Sequence, residues 1–288
     1  MSFPQSAQCL FALLLPLLLL ACNGQNDAPQ PANQSNGSAG GSNPATAYRE
    51  VRVENGGSVA GRVLYRGSPP NLPEFEPTAD QESCGGAKLN QRLKIGPGGG
   101  VAEAIVYLEN VPQGKPMGEL RGGGTSITQV GCTYQPHVLV VPVGAAVAVR
   151  NDDELPHNVR AERDANGAMV LNRTQPRSGV TDTLRAQAPG LIAVTCDYHP
   201  WMSAYILGVQ HPYYAITDSN GAFSIADVPP GTYTLRLWHN GVMQRPKRDT
   251  EGRLVGYRYD KPTELQQRVA VEPGKNAEAT FTLPEVKP

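Results

Sequence analysis

The sequence predicts an all-β protein, and three observations lead to that prediction. The 31 glycines and 26 prolines make up about one fifth of the 288 residues, a content that favours turns and disfavours long helices. Short apolar segments alternate with turn residues along most of the chain, as they do in β-sandwiches and barrels. Hydrophobic residues make up 40% of the chain, which is enough to fill packed cores and excludes wholesale disorder.

The charges of the chain are balanced. It has 25 basic and 26 acidic residues and a formal net charge of −1. Nucleic-acid binding usually rests on an excess of positive charge that attracts phosphate. We therefore expect no nucleic-acid partner.

The N-terminus predicts an exported, membrane-tethered protein. Residues 10–21 form an apolar run that is too short to span a bilayer and fits the core of a signal peptide. The run ends in Leu-Leu-Ala before Cys22, which resembles a bacterial lipobox and implies that residues 1–21 are removed and Cys22 is lipidated. The alternative is an ordinary signal peptide that contains a cysteine. Residues 22–47, rich in small and polar residues, are expected to form a flexible tether. The predicted location is the bacterial cell envelope: outer membrane, periplasmic side or cell surface.

The predicted strands begin after the tether. Residues 51–66 contain an apolar alternation, and residues 68–100 are rich in Pro and Gly and are expected to be irregular. Further strands are predicted at 104–109, 138–141, 146–150, 168–171, 191–195, 204–209, 215–217, 223–225 and 233–237. The predicted domains are an N-terminal β segment (48–103), a central domain (104–210) and a C-terminal sandwich (211–288), to which residues 56–67 could add a strand.

Four side chains that can bind a metal ion lie in the predicted central domain. Cys196, His199 and Met202 follow a predicted strand at intervals of three residues, and His157 lies on an earlier loop. A thiolate, two imidazoles and a thioether suit copper, whereas Mg and Ca take oxygen ligands. Zinc normally uses a stronger fourth ligand than methionine. The pattern predicts one copper ion with Met202 as the weak axial ligand.

The same stretch resembles the cupredoxins, the type 1 blue copper domains of amicyanin and plastocyanin, and most closely the short-loop amicyanin type. The shared features are Pro-His-Asn-Val at 156–159 and the Cys-x-x-His-x-x-Met loop that contains His-Pro-Trp-Met. The resemblance implies that Asn158 supports the thiolate by hydrogen bonds. It also implies that the ring edge of His199 is the electron port and that Pro200 and Trp201 form an apolar rim around it.

The C-terminal part resembles a second family. The stretches TDSNGAFSIADVPPGTYTLRLW (217–238) and GSVAGRVLYRG (57–67) are similar to the carboxypeptidase regulatory-like β-sandwich. That resemblance implies a module without catalytic residues. It also implies that the central domain is inserted between two parts of one sandwich.

The remaining cysteines follow from these assignments. One cysteine is removed with the signal peptide, Cys22 takes the lipid and Cys196 takes copper. Cys84 and Cys132 then remain in an oxidising compartment and are predicted to form a disulfide. The alternative is a second metal site in which His137 lies near Cys132.

The predicted function is one-electron transfer in the cell envelope. Four protein donors leave no open coordination position, so we expect a carrier rather than an enzyme. The expected partner is a redox protein, a cytochrome or a dehydrogenase, that docks through a small interface. Two other interpretations stay open: copper storage, delivery or sensing, and a metal-free scaffold or adhesion lipoprotein. His211 and His239 also stay open, as structural histidines or as members of an additional metal site.

Overall fold

A computed structural model describes residues 47–285, apart from residues 73, 119, 121–124, 164–166 and 243. About half of the described residues lie in strands and very few in helices, which confirms the all-β prediction. None of the helices among them is long and apolar enough to cross a membrane. The predicted signal segment, the lipidation site Cys22 and nearly all of the tether lie outside the described residues.

The strands are numbered in chain order. Their bounds are β1 (Arg49–Glu50), β2 (Gly57–Tyr65), β3 (Ile105–Leu108), β4 (Gln113–Gly114), β5 (Ser126–Gln129), β6 (Tyr134–Gln135), β7 (Val138–Pro142), β8 (Ala146–Asn151), β9 (His157–Arg163), β10 (Met169–Gln175), β11 (Thr181–Arg185), β12 (Gly190–Thr195), β13 (Ser203–Val209), β14 (Tyr214–Ile216), β15 (Ala222–Val228), β16 (Gly231–His239), β17 (Gln244–Arg248), β18 (Leu254–Tyr259), β19 (Thr263–Val271) and β20 (Asn276–Leu283). A short helix, α1 (Gln81–Cys84), and a 3₁₀ turn (Pro97–Gly99) lie between β2 and β3.

Two sheets form a sandwich, called the central sandwich below, from residues 126–209. One sheet has the strand order β10-β9-β12-β13-β7 and the other β11-β8-β5-β6. Alternate side chains of each strand point into the space between the sheets. Val147 and Val149 of β8 and Ile192 and Val194 of β12 are fully buried in this core. Burial of one face of each sheet is what the alternating pattern predicts.

Several central strands have no clear pattern in the sequence, and they were not predicted. β5 and β11 each contain one buried apolar side chain, Ile127 and Leu184 respectively, among polar residues. His157, expected on a loop, is the first residue of β9 and pairs with Gln175 of β10. These strands form because their neighbours supply the hydrogen-bonding edges, which local sequence patterns do not report.

A second sandwich, called the terminal sandwich, combines the sheet β14-β3-β16-β19 with the sheet β15-β2-β20. β2 pairs in parallel with β20 from Ser58 to Tyr65, so the segment expected to join the C-terminal part does so in the structure. Gly61 lies within this pairing, and a Cβ there would sit 1.6 Å from the carbonyl oxygen of Ala279. The two strands can approach this closely only because the residue is glycine.

The position of β3 differs from the predicted boundary, which placed residues 104–109 in the central domain. β3 pairs with β14 and β16 of the terminal sandwich. Val106 and Leu108 are buried in the core of that sandwich, and Ile105 is buried in a separate cluster on the opposite face. A strand that is apolar on both faces belongs inside a sheet that is covered on both sides, and this sheet provides that place.

The two sandwiches pack against each other through this additional cluster. Tyr205 of β13 and Trp238 of β16 meet with ring centroids 5.1 Å apart. The guanidinium of Arg92 lies 5.6 Å from the Tyr205 ring centroid, and Arg92 Nε donates to the carbonyl oxygen of Gly241 at 2.6 Å. The segment around Arg92 is thereby fixed to both sandwiches.

Residues 74–88, called the cap below, fold against one end of the central sandwich. Phe75 and Lys88 exchange two backbone hydrogen bonds of 2.8 Å, and α1 lies between them. Cys84, the last residue of α1, forms a disulfide with Cys132 in the turn between β5 and β6. The structure thus contains the pairing that the cysteine count predicts, and Cys196 is the free cysteine among the described residues.

Candidate metal centre

Three donor groups meet at the end of the central sandwich that faces the cap. The Nδ1 atoms of His157 and His199 lie 2.9 Å apart. Cys196 Sγ lies 3.9 Å from His157 Nδ1 and 3.7 Å from His199 Nδ1. All three residues are buried. The structure therefore brings together three of the four predicted ligands.

Two of these donors, His157 and Cys196, lie at the ends of neighbouring strands. β9 and β12 are antiparallel neighbours, with Thr195 opposite Arg160. The start of β9 and the end of β12 therefore lie at the same end of one sheet. His157 begins β9 and Cys196 directly follows β12, so sheet pairing alone places the imidazole near the thiol.

The loop between β12 and β13 carries the other two predicted ligands. The backbone N–H of Met202 donates to the carbonyl oxygen of His199 at 2.9 Å, which closes a tight turn. Met202 is 2% exposed and packs in the central core with Cys196 and Trp201. The thioether residue thus lies in the same buried region as the three clustered donors.

A carboxylate accepts a hydrogen bond from the outer nitrogen of each imidazole. His157 Nε2 lies 2.8 Å from Asp153 Oδ2, and His199 Nε2 lies 3.1 Å from Asp80 Oδ2. With their protons on Nε2, both rings present a lone pair at Nδ1. Two lone pairs 2.9 Å apart repel each other unless a cation lies between them. This arrangement favours a metal ion at the Nδ1 atoms.

The separations of the three donors fit a single ion. Metal bonds of about 2.0 Å to nitrogen and 2.3 Å to sulfur let one ion join donors up to about 4 Å apart. The three separations, 2.9, 3.7 and 3.9 Å, lie within that limit. One thiolate and two imidazoles with a nearby thioether form the donor set that suits copper.

Burial sets the protonation states of the donors. It lowers the pKa of His157 and of His199, and the hydrogen bonds to the two carboxylates oppose this only in part. Both imidazoles are therefore neutral at pH 7, as metal ligands must be. Burial also raises the pKa of the Cys196 thiol, and the hydrogen bond from the backbone N–H of Asn158 offsets only part of this increase. The thiol keeps its proton until a metal cation displaces it.

Asn158 connects the two strands that carry the donors. Its backbone N–H donates to Cys196 Sγ at 3.3 Å. Its side-chain Nδ2 donates to Asn172 Oδ1 at 2.8 Å, and its Oδ1 accepts from the backbone N–H of Asp197 at 3.4 Å. These contacts hold the backbone on both sides of the sulfur, which is the role that the cupredoxin resemblance implies for Asn158.

Two parts of the chain are similar to known proteins. The chain is 28% identical over 95 residues to amicyanin-alpha of Methylorubrum extorquens, an alignment that covers 31% of this chain and 75% of that protein. This similarity supports a cupredoxin-like domain. Residues 207–279 match the family described as polysaccharide lyase family 4, domain II. That match runs from the end of β13 into β20, and it overlaps the stretch that resembles the carboxypeptidase regulatory-like module without confirming that resemblance.

Solved cupredoxin structures are also similar to part of the chain. A purple cupredoxin from Nitrosopumilus maritimus is 26% identical, with 30% of this chain and 99% of that chain covered and a TM-score of 0.26. A mutant of amicyanin in its reduced Cu(I) form is 20% identical, with 30% and 83% covered and a TM-score of 0.28.

The surface around His199 differs from the expectation of an exposed ring edge with an apolar rim. The side chain of His199 has no exposed surface, and Trp201 is 4% exposed. The indole Nε1 of Trp201 donates to the carbonyl oxygen of Cys132 at 3.0 Å, and its ring lies 5.1 Å from the His199 ring. The expected rim is wrong because the cap and the Cys132 turn cover this face.

The other described histidines lie away from the donor cluster. His137 Nδ1 lies 3.0 Å from the carbonyl oxygen of Ser203, and His239 Nδ1 lies 2.8 Å from that of Asn240. Within the described residues, neither these two nor His211 belongs to a group of three histidine, cysteine or carboxylate ligand atoms within 4.8 Å of one another. The described residues therefore contain no donor cluster for a second metal site built on these histidines.

Asp80 and Asp153 are site residues that the sequence reasoning missed. Asp153 precedes His157 by four residues in the same connection, and that spacing could have indicated it. Asp80 is separated from His199 by 119 residues. The only available signal was Cys84, whose predicted disulfide brings the neighbouring residues to Cys132.

Proposed function

We propose that this protein binds one copper ion and transfers single electrons in the cell envelope. The observation that carries the proposal is the convergence of Cys196 Sγ with the Nδ1 atoms of His157 and His199, at 2.9 to 3.9 Å. The bound ion would supply one-electron chemistry by cycling between Cu(I) and Cu(II). The similarity to amicyanin-alpha supports the same function.

The residues around the donors favour a carrier over an enzyme. His157, His199 and Cys196 are each held by a hydrogen bond from or to a neighbouring group, so the donors are in place before the ion binds. With Met202 as the fourth donor, no coordination position would remain for a substrate. A fixed, closed donor set requires little rearrangement when the charge of the ion changes.

The cap provides a short path from the site to the surface. The side chain of Asp80 is 50% exposed, and its carboxylate accepts a hydrogen bond from the Nε2–H group of His199. The buried imidazole is therefore one hydrogen bond from solvent. We place the docking position of the redox partner, a cytochrome or a dehydrogenase, over the cap.

The proposed location rests on the N-terminus and on the disulfide. A lipidated Cys22 and a tether up to residue 47 would keep the folded part near a membrane while leaving it free to reach a partner. The Cys84–Cys132 disulfide suits an oxidising compartment outside the cytoplasm.

Equilibrium dialysis of the purified chain in both copper oxidation states tests this function. We expect one copper ion per chain with Cu(II), and the same ion retained after reduction with ascorbate and re-oxidation. Release of the ion on either change of oxidation state would contradict electron transfer and favour copper delivery. Failure to bind either ion would contradict the copper site and favour a scaffold role.

A further inference from the structure

Both imidazoles of the donor cluster are anchored from behind by a carboxylate. The two anchors come from different parts of the chain: Asp153 from the connection before β9, and Asp80 from the cap. A carboxylate on the outer nitrogen of a metal-binding imidazole fixes the ring orientation and makes the imidazole a stronger donor.

Asp153 is held rigidly. Its Oδ1 accepts the backbone N–H of Gly131 at 2.7 Å, and its Oδ2 accepts the backbone N–H of Cys132 at 2.8 Å in addition to His157 Nε2. Its own N–H donates to Asn151 Oδ1 at 2.9 Å. The side chain is 12% exposed. Its negative charge is therefore fixed behind His157 and little screened by solvent.

Asp80 occupies an unusual position for its task. It is the residue before α1, where an aspartate side chain commonly caps the helix, yet its side chain makes no capping hydrogen bond. Its backbone has φ of 49°, in the left-handed region that most residues avoid. In this conformation its carboxylate bonds to His199 Nε2 instead.

Cys132 connects both anchors. Its sulfur joins the cap through Cys84, and its N–H binds the carboxylate of Asp153. Its carbonyl oxygen accepts the indole N–H of Trp201, whose ring packs on His199. Cys132 also has a positive φ of 55°. The disulfide therefore holds the cap, and with it Asp80, against the same turn that fixes Asp153.

On the basis of the proposed copper function, we propose that Asp80 and Asp153 are positioning residues that tune the metal. Each holds one imidazole by Nε2, and each places a negative charge behind a ligand of the ion. That charge stabilises Cu(II), the more positive state, over Cu(I), and so lowers the reduction potential. The disulfide keeps Asp80 in place. Asp153 has the larger effect, because solvent screens the half-exposed Asp80 more strongly.

The test is the reduction potential of the full-length purified chain loaded with copper. Asp153→Asn is expected to lower the preference for Cu(II) over Cu(I) about tenfold, which raises the potential by about 59 mV. Asp80→Asn is expected to raise it by a smaller amount. Asp218→Asn is the matched control, because it removes the same charge from an exposed carboxylate in the terminal sandwich, and asparagine keeps the oxygen that accepts the backbone N–H groups of Asn220 and Ala222. It is expected to leave the potential nearly unchanged.

A second readout separates positioning from charge. In the diamagnetic Cu(I) protein, the Nε2 proton of His199 should exchange slowly with solvent and be visible by NMR. Asp80→Asn keeps an acceptor oxygen and should retain this protection, whereas Asp80→Ala should lose it for His199 and keep it for His157.

Two outcomes would overturn the inference. One is a change in potential for both the Asp80→Asn and Asp153→Asn variants that is no larger than that of Asp218→Asn. The other is unaltered proton protection in Asp80→Ala. Either leaves the proposed function standing, provided that the native chain with Cu(II) shows a strong visible absorption band from the Cys196 thiolate to copper. Absence of that band in the native chain would instead remove the proposed function itself.

Discussion

At the residue scale, Met202 differs in kind from the other predicted ligands. A thioether is a neutral, weak donor, whereas Cys196 offers a thiolate and the two histidines offer imidazole nitrogens. Met202 is nevertheless buried, in the same core as Cys196, and its N–H closes the turn with His199. We interpret it as the residue that adjusts the relative stability of Cu(I) and Cu(II) rather than the one that holds the ion.

Met202→Leu tests that interpretation. Leucine has a similar volume, so the core should remain packed, but it cannot donate to copper. We expect the visible band to persist and the reduction potential to rise by about 59 mV or more, which is a tenfold or larger loss of Cu(II) preference. Cyclic voltammetry measures the change. An unchanged potential would mean that the sulfur of Met202 does not contact the ion.

The spacing of the donors made part of the site predictable. Cys196, His199 and Met202 lie within one short loop after β12, which keeps their backbones near one end of the sandwich. The anchoring carboxylate of Asp80 is different, because its position depends on how a Pro- and Gly-rich segment folds back over the sandwich. Nothing in the local sequence around Asp80 specifies that path, which depends on tertiary contacts and on the disulfide.

At the element scale, the cap depends on few contacts of its own. Its helix α1 has four residues, and Phe75 and Lys88 are paired as an isolated bridge. An isolated helix of this length is unstable in water. The disulfide between Cys84 and Cys132, 48 residues apart in sequence, supplies the constraint that these elements lack.

Removal of the disulfide should therefore destabilise the protein. The double variant Cys84→Ser/Cys132→Ser is expected to lose about 2–4 kcal/mol of unfolding free energy, because the denatured chain regains the freedom of the open loop. Urea denaturation of the metal-free protein measures this loss, and reductant should shift the native protein to the midpoint of the variant. A midpoint that is independent of reductant would show that the disulfide does not stabilise the fold.

Strands were predictable where apolar residues alternate and less so elsewhere. β8 and β12 place valine, alanine and isoleucine in an alternating pattern, and both were predicted close to their observed bounds. β5 and β11 are largely polar and take their structure from the strands beside them. β3 was predicted as a strand but assigned to the wrong sandwich, because a short apolar strand does not indicate which sheet it joins.

At the scale of the whole molecule, the two sandwiches are joined by a core that contains buried histidines. Burial, together with the charge of Arg92, lowers the pKa of His137 to about 3. Burial also lowers the pKa of His239 to about 4. Both imidazoles are therefore neutral in the fold and accept a proton readily only after unfolding.

The sign of the resulting pH dependence follows from linkage. Below pH 6.5 His137 becomes protonated in the unfolded chain, whereas in the folded chain it stays neutral down to about pH 3. The unfolded state therefore binds more protons in this window, and the unfolding free energy falls as the pH falls. The slope reaches about 1.4 kcal/mol per pH unit for one group. His137→Gln removes the titrating ring, so the difference in unfolding free energy between native protein and variant should change with pH. A difference that is constant from pH 6.5 to 4 would contradict the assigned burial.

The measurement that tests the central claim most directly is the visible absorption spectrum of the purified chain after addition of Cu(II) and removal of the excess. The native protein is predicted to show a strong band at about 600 nm from the Cys196 thiolate to copper. Cys196→Ser is predicted to fold but to lack the band. Absence of the band in the native protein, or its retention in Cys196→Ser, would contradict a copper site built on Cys196.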